Sequence, residues 1–73
     1  MNISVKVESA DDLTDIIQML RTEDIRISDL EIGKDAHDEI SAFICLSLKE
    51  RRTHTEILTM LAASHGIISI NET

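Results

Sequence analysis

Seventy-three residues leave room for one domain with a modest core, and 42% hydrophobic content is too high for a disordered chain. The formal charge is −7, and Phe43 is the single aromatic residue. Single-stranded nucleic-acid binders need aromatic platforms and basic tracks, so nucleic acid is disfavoured on both counts, and the charge disfavours an anionic membrane surface as well.

In chain order, Ile3, Val5 and Val7 alternate with Ser4, Lys6 and Glu8, the period of a strand with one buried face. Ser9 then offers a helix N-cap, with Asp12 three residues on as a variant of the capping box. Asp11 and Asp12 suit the positive end of that helix dipole, and Arg21 its other end. Leu13, Ile16, Ile17 and Leu20 make the apolar stripe of an amphipathic helix. After a polar turn at Glu23-Asp24 come Ile25-Arg26-Ile27 and Leu30-Glu31-Ile32, whose inward parity changes midway. A bulge or bend near Ser28-Asp29 reconciles the two halves.

Gly33-Lys34-Asp35-Ala36-His37-Asp38 reads as a polar hairpin loop. The longest strand follows over residues 39–49, with Ile40, Ala42, Ile44, Leu46 and Leu48 on one face and Phe43 and Cys45 on the other. A second face that is partly apolar suits a central strand, or one whose outer face meets a partner. Thr53 and Glu56 form a full capping box, and Ile57, Leu58, Leu61 and Ala62 give the second helix its core stripe, with Met60 at the margin. Gly66 reads as the stop of that helix and Ile67-Ile68-Ser69-Ile70 as the last strand.

The order β-α-β-β-α-β is two crossover units joined by a hairpin. Right-handed crossovers put both helices on one side of the sheet, and the split arrangement gives the strand order 4-1-3-2. The predicted fold is therefore an α+β ferredoxin-like sandwich over residues 1–73. Its open sheet face carries Phe43 and Cys45 among Ser4, Ser41 and Ser47. That face is read either as an association surface or as an ordinary solvated one.

Cys45 has no second cysteine to pair with and reads as a structural thiol in a reducing compartment. No apolar run nears the roughly 18 residues a membrane helix needs, so direct insertion of this segment is not expected. His37, His54 and His65 lack metal-ligand spacing. Asp35, Asp38 and Glu39, with Asp11 and Asp12, are either solvated acids or the makings of a hard-cation site, but their spacing is not that of an EF-hand. No metal or cofactor is assigned. Lys49, Arg51 and Arg52 beside the second helix start are either a small anion site, carried by Arg51 and Arg52, or a solvated turn. No nucleophile–base pair or phosphate-cradling glycine loop stands out, so no catalytic residue is assigned and an enzyme is not expected. A ferredoxin-like metal chaperone is disfavoured too, because it needs a cysteine pair in the first loop.

Three local patterns resemble the ACT family of small regulatory domains, over essentially the whole chain. They are Val7-Glu8-Ser9-Ala10-Asp11-Asp12-Leu13, the bent Ile25-x-Ile27-x-x-Leu30, and His65-Gly66-Ile67-Ile68-Ser69-Ile70. Within that family, the polar hairpin followed by Ser41-Ala42-Phe43-Ile44-Cys45-Leu46-Ser47-Leu48 is most similar to the cytoplasmic C-terminal domain of MgtC/SapB-type bacterial membrane proteins. The resemblance implies a regulatory or oligomerisation domain linked to magnesium limitation. It also implies a fragment of a larger chain whose parent sits in the bacterial inner membrane, with this segment on the cytoplasmic side. The partner would be a second copy or the parent protein itself.

The family's alternative role is sensing a small ligand such as an amino acid, which by position would involve Ser9, Asp11, Asp12 and Leu30. Amino-acid-binding ACT domains carry a glycine in the loop before the first helix. This chain has Ser9-Ala10-Asp11-Asp12 there, and two aspartates oppose a ligand carboxylate.

Overall fold

The computed structural model of the chain describes residues 1–37, 39–48 and 52–73. The expected elements form in the expected order: β1 (Asn2–Val7), α1 (Ala10–Thr22), β2 (Arg26–Lys34), β3 (Ile40–Ser47), α2 (His54–Ala62) and β4 (Ile67–Glu72). The four strands make one antiparallel sheet in the order β2-β3-β1-β4, the predicted 4-1-3-2 arrangement.

Strand alternation decides which side chains face the helices. Ile3, Val5 and Val7 of β1 pair with Ile44, Ala42 and Ile40 of β3, and all point to the helix side. With Leu13, Ile16 and Leu20 of α1, Ile57 and Leu61 of α2, Ile25 and Leu46, they form one aliphatic core. Fully burying a valine, leucine or isoleucine of this core contributes on the order of 1.5–3 kcal/mol, so the missing aromatics are replaced by number.

Local chemistry sets the ends of the helices. Ser9 Oγ accepts from the Asp12 backbone N–H at 3.3 Å and donates to Asp12 Oδ2 at 2.9 Å. Thr53 Oγ1 accepts from the Glu56 backbone N–H at 3.1 Å. At the far end of α1, Ile25 N–H bonds Leu20 C=O at 2.9 Å and Asp24 N–H bonds Arg21 C=O at 3.0 Å. This is a Schellman closure in which Asp24, at φ 59°, takes the left-handed position usually held by glycine.

The bulge expected near Ser28-Asp29 is present. The β2–β3 register shifts between Ile27 and Asp29, and Ser28 Oγ donates to Cys45 C=O at 3.1 Å. A second shift, unexpected, lies between Lys6 and Val7 opposite β4, where Ile68 is the extra residue and is 43% exposed.

Three expectations are corrected. Gly33 and Lys34 belong to β2 and continue its ladder with β3, so the connecting loop starts at Asp35. Ala62 is exposed, because the α2 stripe that meets the sheet runs through Ile57 and Leu61. Gly66 does not end α2, which closes at Ala63 through bonds to Thr59 and Leu61 carbonyls; Gly66 lies in the turn that enters β4. The proposed strand end at Lys49 lies outside the described residues, and Ser47 closes β3.

Candidate functional site

Residues on the uncovered side of the sheet follow from the same register. Phe43 pairs with Ser4 on one side and Glu31 on the other, and Cys45 with Asn2 and Asp29. Ser41 pairs with Lys6 and Gly33, and Ser47 with Arg26. Serines therefore surround Phe43 along β1 and β3, while charge is confined to the β2 edge and to Lys6. The ring is 39% exposed, although every other large side chain at the centre of the domain is covered. Phe43 and Cys45, chosen as candidate interface residues, thus share one face, with Cys45 half-buried.

Lys6 is not a free cation on this face. Its Nζ lies 2.8 Å from Asp35 Oδ2 and 3.9 Å from Glu39 Oε1. Asp35 Oδ1 also accepts backbone N–H groups from His37 at 2.9 Å and Glu39 at 3.1 Å, which folds the hairpin loop around the carboxylate. The Lys6 bond is the largest cause that lowers the Asp35 pKa to about 2; burial opposes it, and the two N–H donors and the Lys6 charge add to the lowering. Lys6 is raised in turn by the Asp35 bond and charge.

The acids considered for a hard cation therefore separate. Asp35 and Glu39 meet on the Lys6 ammonium, Asp11 and Asp12 sit at the start of α1, and Asp38 lies outside the described residues. Among the described residues no three histidine, cysteine or acidic side chains gather as metal ligands. His54 instead pairs through Nδ1 with the Glu72 carboxylate.

Ser9 and Asp12 are committed to each other, and the Asp12 carboxylate is buried against Gly66: a Cβ built on Gly66 would fall 2.1 Å from it. Asp11 is exposed beside them. Leu30, the fourth effector candidate, is not in this group. It stands on β2 opposite Ile44, at a different crevice. Of the two candidate anion residues, Arg51 lies outside the described residues. Arg52 turns to the end of α1, where its guanidinium donates to the Glu23 carboxylate at 3.3 Å and the Glu23 C=O at 3.2 Å.

The effector reading pointed to the start of α1 and the second strand, and the structure leaves a gap between α1 and edge strand β2. Two crevices of about 360 Å³ each lie there, one lined by Ala10, Leu13, Ile17, Ile32 and Ile40 among others, the second by Ile17, Arg21, Ile25, Arg26, Ile27 and Leu30. They meet at Ile17. Ile32, 59% exposed, is the least covered large apolar side chain of the core-facing side. The available signal was topological: two helices over four strands leave an edge strand partly roofed.

Compared with known proteins, the chain matches no family model and no curated protein by sequence. Its structure is similar to the solution structure of the C-terminal domain of the MgtC protein from Mycobacterium tuberculosis, with a TM-score of 0.70 and 16% sequence identity. The similarity covers 96% of this chain and 80% of that one. At this identity it is the fold that the two share. No helix among the described residues is long and apolar enough to cross a membrane.

Proposed function

We propose that this chain is a non-catalytic regulatory domain that works by association: the cytosolic domain of an MgtC/SapB-type bacterial membrane protein linked to magnesium limitation. Its likeness in fold to the C-terminal domain of MgtC supports the assignment to that type. The observation that carries the association role is the open sheet face. An acidic chain with one aromatic residue sets that residue on a face of serines, away from most of its charge. Contact there with a second copy or with the parent protein would take an exposed aromatic ring out of water, with the charge of the face at its margins, on the β2 edge and in the Lys6–Asp35 pair. Cys45 suits this role better than chemistry, since it stands mid-strand and half-buried, and neither of its cross-strand partners, Asn2 and Asp29, is a histidine.

A second reading, an ACT-type small-ligand sensor, is favoured by the crevice beside Ala10 and Leu13. Against an amino acid there, Ser9 and Asp12 are engaged with each other and Asp11 adds negative charge.

Thermal unfolding separates the readings when run at several protein concentrations and against amino acids and Mg²⁺. Association predicts a midpoint that rises with protein concentration in the native chain and not in Phe43→Ser. A ligand at about 100 times its Kd would add roughly 2.7 kcal/mol, several degrees for a domain of this size. A shift of that kind with one amino acid, at a midpoint independent of protein concentration, favours the sensor and overturns association.

A further inference from the structure

β2 is an outer strand of the sheet, with β3 on one side and no strand on the other. It is nine residues long, carries no proline, and runs in regular register from Asp29 to Lys34 beyond its bulge. The opposite edge, β4, is six residues long and is broken by the Ile68 bulge, a common protection of sheet edges. The direction of the β2 backbone groups follows from the end of β3. Leu46 C=O accepts from the Met1 ammonium at 3.0 Å, and Leu46 N–H donates to Met1 C=O at 2.7 Å, so both turn toward β1. Alternation along an antiparallel ladder turns the backbone groups of Ile44 and Ala42 toward β1 as well, and those of Cys45, Phe43 and Ser41 toward β2. Their partners Asp29, Glu31 and Gly33 face β3 in return, which leaves the N–H and C=O of Leu30 and Ile32 pointing out of the sheet. Leu30 N–H agrees with this, being bonded to Asp29 Oδ1 at 2.9 Å. Ile32 N–H and C=O have no partner among the described residues.

Side chains along this edge alternate in the same register. Leu30 and Ile32 lie opposite Ile44 and Ala42 on the helix side, and Asp29 and Glu31 opposite Cys45 and Phe43 on the open side. Ile32 is 59% exposed and borders the crevice of about 360 Å³ whose apolar walls include Leu13, Ile17 and Ile40. Asp29 and Glu31 are exposed and make no ion pair among the described residues. Arg26, the cation of β2 on the open side, stands beyond the bulge. An edge with outward backbone groups can take up an extended segment by strand addition, in which main-chain bonds bind and alternate side-chain pockets select. An antiparallel segment here sets an apolar side chain beside Ile32 and facing side chains opposite Glu31 and Asp29. Those last pairs are of the non-hydrogen-bonded kind, where facing side chains stand closest, so cations are favoured there and acids opposed. The β2 strand of a second copy would bring the same two acids to this side on a chain of charge −7, which makes a like edge the poorer partner.

We propose that the β2 edge is a docking site for an extended segment of a protein partner in which basic and apolar residues alternate, and which adds to the sheet as a fifth strand. Its backbone closes on Ile32 N–H and C=O. Its central apolar side chain lies beside Ile32 at the crevice under α1, and its lysine or arginine side chains meet Glu31 and Asp29. The proposal does not rest on association through Phe43, which uses the open face and not the edge.

The test is titration of the ¹⁵N-labelled chain with a capped heptapeptide of alternating lysine and isoleucine, lysine at both ends. The controls are the same peptide with glutamate for lysine, one of the same composition with the alternation broken, and one N-methylated at the central isoleucine. The lysine peptide should move the Ile32 amide and slow its hydrogen exchange, and should bind at least tenfold tighter than any control. Glu31→Lys should weaken it tenfold or more and admit the glutamate peptide, with an unchanged melting midpoint in the absence of peptide, since Glu31 is exposed. Equal affinity for the lysine and glutamate peptides, full affinity of the N-methylated or rearranged peptide, or no binding of the lysine peptide would each overturn the proposal. So would an Ile32 amide that is protected without peptide in proportion to protein concentration, the sign of a second copy on this edge.

Discussion

A Cβ on residue 66 would stand 2.1 Å from both Cγ and Oδ2 of Asp12, well inside van der Waals contact, and the φ of +78° is itself one that L side chains rarely adopt. Two separate demands thus fall on one glycine. The left-handed backbone costs a non-glycine residue on the order of 1–3 kcal/mol, and the clash adds to it because Asp12 is buried and tied to Ser9. Its neighbours also matter, since Gly66 C=O accepts the Glu8 N–H at 2.9 Å and so joins the entry of β4 to the exit of β1. Gly66→Ala should therefore lose about 3 kcal/mol in urea unfolding, and Asp12→Ala in the same chain should recover part of that loss by opening the space. Equal stability of Gly66→Ala and the native chain would remove both arguments. A loss that Asp12→Ala does not reduce would leave only the backbone term.

Between elements, the Lys6–Asp35 contact clamps the β2–β3 hairpin loop onto β1, the strand two places in from the edge. Its pH dependence has a definite sign. Asp35 is held near 2, below its ordinary 3.8, so its contribution is complete above about pH 4 and is lost as pH falls toward 2. Lys6 is raised, so its contribution is complete below 10.5 and is lost as pH climbs through its elevated value. Many carboxylates titrate in acid, so the informative quantity is the stability difference between the native chain and Asp35→Asn. That difference should hold steady from pH 5 to pH 9 and shrink between pH 4 and pH 2; a flat difference across the acid range would mean that the clamp carries no net stability. The clamp also shows where sequence reading stopped. Alternation in Ile3, Val5 and Val7, the Ser9–Asp12 cap and the parity break at Ser28 are all local, and each was legible. Lys6 with Asp35 and Arg52 with Glu23 are 29 residues apart in both cases, and no local pattern announces either. The Ile68 bulge was hidden differently: in Ile67-Ile68-Ser69-Ile70 either isoleucine parity fits a strand, and only the pairing with Val7 decides it. The shared face of Phe43 and Cys45 followed from a period of two.

For the molecule as a whole, the telling choice is that an all-aliphatic core coexists with a phenylalanine left half outside. At about 0.05–0.15 kcal/mol per residue, 73 residues give a total stability of only about 4–11 kcal/mol. A fold with so little margin would gain from burying its largest apolar ring, yet the register puts Phe43 on the open face and its neighbour Ile44 in the centre of the core. The two adjacent positions therefore separate folding from association. Ile44→Ala deletes a fully buried side chain and should cost about 2–5 kcal/mol, enough to bring the domain close to unfolding. Phe43→Ser should change the unfolding free energy by less than about 1 kcal/mol in dilute protein, where no partner covers the ring, and should abolish any concentration dependence of the midpoint. Urea unfolding of both variants at low and high protein concentration measures these quantities directly. A Phe43→Ser penalty as large as that of Ile44→Ala in dilute solution would assign the ring to the fold itself, and the open face would lose its claim as the surface through which this domain acts.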